Sequence, residues 1–249
     1  MRREALVVAA TLVVAGCGDD GEPASQPRLV LSAASSMTEA ITSCAKDYPD
    51  ATVKTSFAGS DELAAQIRQG APVDVYAAAN TRLPDELERE GLLDAPVEFA
   101  TNTFVLAVPR DSDIESIGVL TNPGVKIANG SESVPIGAYT RELLARLPAG
   151  QEKAILANVR TNEPDVKGIV GKLSQGAVDA GFVYVTDVNA SGDALAAIQL
   201  PDALQPQVTY AAGVVTKAKQ PGLARAFVEG LQSGDCADAL QEAGFGAAP

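Results

Sequence analysis

The chain has 249 residues, with 19 Lys and Arg against 32 Asp and Glu, no histidine, and a net charge of −13. That acidity excludes a nucleic-acid-binding face or a site built on a broad basic patch. The absence of histidine excludes Ser–His catalysis and any His-bearing metal site, and 4% aromatic content without tryptophan leaves no stacking platform for sugars.

Met1-Arg2-Arg3 is a basic start, followed by an apolar run from Ala5 to Ala15. The run is too short to span a bilayer and reads as the core of a signal peptide over residues 1–16. It ends in Val14-Ala15-Gly16-Cys17, which resembles the lipobox of bacterial lipoproteins. The resemblance implies cleavage before Cys17, lipid on that residue, and an extracytoplasmic protein held to a membrane. Residues 17–27 then form a lipidated Cys and a flexible Gly/Asp/Pro/Ser tether. Loss of Arg2, Arg3 and Glu4 with the leader makes the mature chain one unit more acidic. With Cys17 assigned to lipid, Cys44 and Cys236 remain, and an oxidising compartment favours a disulfide between them; two buried free thiols are the alternative.

Beyond the tether, strands alternate with helices. Strands are expected at Arg28–Ser32, Thr52–Phe57, Val73–Ala78, Asn102–Val108 and Lys126–Ala128, and helices at Ser36–Tyr48, Ser60–Gln69, Asn80–Gly91 and about Pro135–Leu147. Segments 154–158, 166–175, 179–184 and 197–200 continue the alternation. A strand at Val208–Thr216 and helices at Pro221–Leu231 and Asp235–Ala243 finish the chain. The pattern is that of an α/β protein with mostly parallel sheets.

The strand-to-helix junctions hold the chemistry. At Ala33-Ala34-Ser35-Ser36-Met37-Thr38-Glu39, an apolar run ends in small residues and hydroxyls, and Ser36 with Glu39 has the spacing of a capping box. At Phe57-Ala58-Gly59-Ser60 a strand again stops, and Ser60 is placed to cap the next helix. Val134-Pro135-Ile136 puts proline in a first helical turn, and Asp165 precedes Val166 as a cap. Helix starts carry unpaired N–H groups and partial positive charge, which suits a small anion. Taken singly, each junction reads more simply as a plain helix cap, and Tyr184, closing an apolar strand, reads as a packed core residue.

Together these segments resemble the periplasmic molybdate-binding proteins, the substrate-binding subunits of molybdate ABC importers. The resemblance is carried by Ala33–Ala40, by Phe57–Ser60 with Gly70-Ala71-Pro72-Val73-Asp74, by Val134–Gly137 with Tyr139, by Asp165–Lys167 and by Asp179–Asp187. It covers about residues 29–246. It implies a two-domain type II binding-protein fold with a central anion cleft, with domain 1 over 28–108 plus 214–249 and domain 2 over 109–213. The crossings would fall near 107–110 and 211–216. It further implies an oxyanion held by Ser36, Ser60, Ile136, Val166 and Tyr184, no cofactor, no cationic metal site, and a monomer that hands molybdate or tungstate to an ABC permease. Ile136 stands where the family carries a smaller residue, and Ser35 where alanine is usual. Lys167 and Arg141 read as residues of solvated helix faces. The surplus of carboxylates, including Asp165, Asp179 and Asp187, forms no metal-loop motif and reads as surface.

Such a site would present donors only, matching an anion that offers acceptors only. A protonated oxyanion would oppose donor to donor, which disfavours phosphate; sulfate would have to be excluded by size. A sulfate or tungstate receptor is the alternative within binding proteins. A lipid-anchored hydrolase using Ser36 or Ser60 is the alternative of another class, but neither junction shows the S-x-x-K spacing that could replace histidine. A ferric-ion receptor would need clustered tyrosines, and the five here, at 48, 76, 139, 184 and 210, are scattered in sequence.

Overall fold

Two mixed β-sheets, each covered by helices, build the protein in the computed structural model, which describes residues 26–46 and 48–249. The expected leader, Cys17 and nearly all of the tether lie outside the described residues.

The first lobe begins with β1 (Arg28–Ala34), a 3-10 turn (Ser35–Met37) and α1 (Thr38–Lys46). It continues through β2 (Thr52–Ala58), α2 (Ser60–Arg68), β3 (Val75–Ala78), α3 (Arg82–Arg89) and β4 (Val97–Asn102). The second lobe contains β5 (Phe104–Pro109), β6 (Ile127–Gly130), α4 (Pro135–Leu144), α5 (Ala149–Ala157), β7 (Val159–Glu163), α6 (Val166–Ser174), β8 (Ala180–Tyr184), α7 (Val185–Ala190) and β9 (Leu195–Gln199). The chain then returns to the first lobe with β10 (Val208–Val214), α8 (Pro221–Gly230), α9 (Asp235–Ala243) and the short β11 (Gly246–Ala247).

Strand order is β11-β4-β10-β3-β1-β2 in the first sheet and β7-β6-β8-β5-β9 in the second. The central strands β3, β5, β8 and β10 are apolar along almost their whole length and buried, because helices cover both faces. The edge strand β2 is largely exposed or half-buried. In the second lobe Phe104 stacks on Phe182 with ring centroids 5.9 Å apart.

Four expectations are corrected here. The sheets are mixed, not mostly parallel: β1 pairs parallel with β2 and β3, and β6 with β7 and β8, whereas β10, β4, β11, β5 and β9 enter antiparallel ladders. The strands that carry the chain between lobes return without a crossover helix, and so run opposite to their neighbours. The expected strand Asn102–Val108 is two strands in different sheets, with the change of lobe at Thr103 and not at 107–110. The return lies between Gln199 and Val208, since β10 pairs entirely within the first sheet, and not at 211–216. Segment 154–158 closes α5, and the strand follows at Val159–Glu163.

Asp74, the acidic residue of the Gly-Ala-Pro-x-Asp block, is a fastener. Its carboxylate accepts backbone N–H bonds from Val30 (2.8 Å), Lys219 (2.6 Å) and Gln220 (3.2 Å), tying β1 to the turn before α8. The Cys44–Cys236 disulfide joins α1 to α9 with a Cα–Cα distance of 4.9 Å, a normal span for the bond.

Candidate functional site: an anion-sized cavity between the lobes

Four helix starts meet at one cavity of about 20 Å³. Ser35 and Ser36 come from the turn before α1, Gly59 and Ser60 from the start of α2, Pro135 and Ile136 from the start of α4, and Asp165 and Val166 from the start of α6. Tyr184, at the end of β8, also lines it. All five residues expected to form the site are therefore brought together, two from the first lobe and three from the second. The volume exceeds what one water needs, about 15 Å³, and is far below the several hundred of a pocket for an organic ligand. It has room for a single small ion.

The lining is neutral apart from Asp165, with no Lys or Arg. Asp165 caps α6, its Oδ1 accepting the Gly168 N–H at 3.0 Å. The first-turn N–H groups at Ser36, Ser60, Ile136 and Val166 have no acceptor within their own helices, because an acceptor would need a preceding turn. The helix dipoles add positive potential at the same point. Electropositive character is thus supplied without a formal cation.

The two serines do not cap, contrary to expectation. Ala34 and Gly59 occupy the capping positions, without side-chain caps. The Ser36 hydroxyl lies 2.9 Å from the Tyr210 hydroxyl. The Ser60 hydroxyl accepts the Ala79 N–H at 3.1 Å, while the Ser60 carbonyl accepts the Tyr76 hydroxyl at 2.7 Å. Both serines sit inside the first turn, where the side chain can reach across to a neighbouring strand instead of back to its own helix.

Tyr184 is 1% exposed, and its hydroxyl has no hydrogen-bond partner among the described residues. Burial pushes its pKa well above the ordinary tyrosine value, so the hydroxyl stays protonated and can donate. A buried donor left unpaired costs about 1–3 kcal/mol, and here it belongs to a residue that lines the cavity. Ile136 lines the cavity, and its Cγ2 lies over Gly130, where a Cβ would approach it to 2.5 Å. Ser35 adds a further hydroxyl-bearing residue to the lining.

The lobes touch around the cavity. Lys167 on α6 reaches across to Glu39 on α1, with Nζ 2.8 Å from each carboxylate oxygen, and lies 3.5 Å from Asp187 Oδ1. Lys167 is therefore an interlobe bridge and not a residue of a solvated face, whereas Arg141 does lie exposed, paired with Glu132. Burial pushes the Asp187 carboxyl up to about 7; the neighbouring Lys167 cation and the Tyr184 N–H pull it down, and Glu39 raises it further. At Gly59 an added Cβ would stand 2.5 Å from the Pro164 carbonyl of the opposite lobe. Tyr210, Asn102, Lys167 and Asp187 are participants that residue pattern alone does not reveal. Tyr210 reads as one more apolar position of a buried strand, and Asn102 as a strand end.

Residues 29–246 match the family of bacterial extracellular solute-binding proteins. The chain is 34% identical over 252 residues to the molybdate-binding protein ModA of Mycobacterium bovis, covering 94% of each chain. It is 28% identical over 254 residues to the molybdate-binding protein ModA of Haemophilus influenzae, covering 96% of this chain and 97% of that one. Its fold matches the periplasmic molybdate-binding protein of Azotobacter vinelandii with a TM-score of 0.78 at 18% identity, over 87% of this chain and 98% of the other. With the family matched over nearly its whole length, the chain belongs to the bacterial extracellular solute-binding proteins.

Proposed function

We propose that this protein captures one molybdate ion in the interlobe cavity and delivers it to the permease of an ABC importer. The observation that carries the reading is the unpartnered hydroxyl of buried Tyr184, a residue lining a cavity that is ringed by helix starts and free of Lys and Arg. In this reading Ser36 and Ser60 donate through their hydroxyls and backbone N–H groups, Ile136 and Val166 through backbone N–H groups, and Tyr184 through its phenol. A dianion then receives charge-assisted bonds from every side without an opposing cation. The similarity to molybdate-binding relatives supports the choice of anion. Tungstate, of nearly the same size and shape, binds the same way. The protein acts as a monomer without a cofactor, held to the membrane through lipid on Cys17; the lipobox-like Val14–Cys17 supports that anchor.

Isothermal titration of the anion-free protein with molybdate, tungstate, sulfate and phosphate tests the reading. One-to-one binding of the first two, with sulfate and phosphate at least a hundredfold weaker, is expected. Preference for sulfate or phosphate would retain the anion cavity and refute the assignment to molybdate.

A further inference from the structure

We propose that Tyr210 is a positioning residue: it orients the Ser36 hydroxyl so that its proton faces the cavity, and thereby biases the site against protonated oxyanions. The inference rests on the oxyanion-binding reading above and extends it to a residue outside the cavity lining.

Tyr210 is fully buried in β10, the strand by which the chain re-enters the first lobe. Among the described residues its hydroxyl has two hydrogen-bond partners, Ser36 Oγ at 2.9 Å and Asn102 Nδ2 at 3.4 Å. The Asn102 amide is oriented by its other bonds. Its Oδ1 accepts the Thr103 N–H at 2.9 Å, and its Nδ2 donates to Thr186 Oγ1 at 2.9 Å. The nitrogen therefore faces Tyr210, and an amide nitrogen does not accept. Among the described residues, Ser36 Oγ is the one acceptor left for the Tyr210 proton.

Once Ser36 Oγ accepts from Tyr210, the serine's own proton must point elsewhere, and Ser36 borders the cavity. The same logic holds at Ser60, whose oxygen is occupied by the Ala79 N–H. The Ser36 proton is thereby directed to the cavity, and the Ser60 proton is likewise not used by its Ala79 N–H partner. A ligand oxygen that carries a proton meets the Ser36 proton donor to donor unless Ser36 gives up its bond to Tyr210; the charged acceptor in the lining, Asp165, already takes the Gly168 N–H on Oδ1. The chain Asn102–Tyr210–Ser36 starts at the last residue before the first crossing between lobes, and Asn102 also holds Thr186, two residues beyond Tyr184. Hydroxyl orientation in the first lobe is thus tied to the strand that carries Tyr184 in the second.

The test is a double-mutant cycle on the anion-free protein, titrated with molybdate and, in competition, with phosphate. Tyr210→Phe leaves the ring and removes the hydroxyl; it should raise the molybdate Kd about tenfold, the worth of one oriented hydrogen bond. In a Ser36→Ala background the same change should alter Kd less than twofold. The preference for molybdate over monohydrogen phosphate should shrink in Tyr210→Phe, because Ser36 is then free to accept. Asn102→Asp offers Tyr210 a competing acceptor at nearly unchanged size. It should weaken molybdate binding more with Ser36 present than in Ser36→Ala, which separates proton direction from added charge. Equal losses with and without Ser36 for both variants, or an unchanged anion preference in Tyr210→Phe, would overturn the inference while leaving molybdate capture intact. Failure of the unaltered protein to bind any of the anions would overturn both.

Discussion

Replacing Tyr184 by phenylalanine should change stability and affinity in opposite directions. The substitution removes one oxygen and leaves the ring in its edge contacts with Phe104 and Tyr210, each at a centroid distance of 6.0 Å. That oxygen is buried and has no partner among the described residues, so where no anion accepts its hydrogen bond its removal should relieve a desolvation penalty of about 1–3 kcal/mol. For a domain of this size each kcal/mol moves Tm by about 2–4 °C, and the variant should melt about 2–12 °C higher; a water in the cavity puts the gain at the lower end. In the loaded protein the hydroxyl donates to an anion, a bond worth about 1.5–3 kcal/mol. Its loss should raise the molybdate Kd about ten- to a hundredfold and shrink the ligand-induced rise in Tm accordingly. Thermal melts with and without molybdate, alongside titration calorimetry, read both effects on the same samples. An anion-free variant that melts lower while its Kd is unchanged would show that the hydroxyl serves the fold, and would refute the reasoning.

Reduction of the disulfide, or paired Cys44→Ser and Cys236→Ser changes, frees a separation of 192 residues, which chain entropy values at about 5 kcal/mol. Tm should fall by about 10 °C or more with the Kd unchanged, since neither cysteine lines the cavity; a loss below about 1 kcal/mol in denaturant unfolding would contradict this. Asp187 has a folded pKa of about 7, above its ordinary value of 3.8. The folded state therefore holds the extra proton between those values, and stability should decline as pH rises from about 4 to 7. Asp187→Asn should flatten that decline in a melting series, and parallel pH profiles for the two proteins would count against it. Gly59→Ala places a Cβ against the Pro164 carbonyl across the cleft. It should cost about 1–3 kcal/mol of binding, a rise in Kd of about tenfold or more, with the anion-free Tm within a few degrees; unaltered affinity would mean the lobes need not approach there.

The α/β class and the strand-to-helix junctions are legible in the residues alone, whereas the Cys44–Cys236 pairing was only favoured by compartment over two free thiols until the structure showed it. Central strands such as Phe104–Pro109 and Ala180–Tyr184 are apolar runs because both faces are covered, and such local patterns survive in one dimension. The five residues expected at the site came from the resemblance to a known family and not from spacing, and they converge on one cavity. Their hydrogen-bonding roles were not legible. Ser36 and Ser60 carry the signature of helix caps, yet their hydroxyls are engaged by Tyr210, 174 residues away, and by the Ala79 N–H at the end of β3. The same limit hid the break at Thr103, where neither glycine nor proline marks the passage from one sheet to the other, and the Lys167–Glu39 bridge across 128 residues. Side-chain periodicity reports which face of an element is buried. Which donor meets which acceptor depends on strand order and on the approach of the two lobes, and only the tertiary structure decides that.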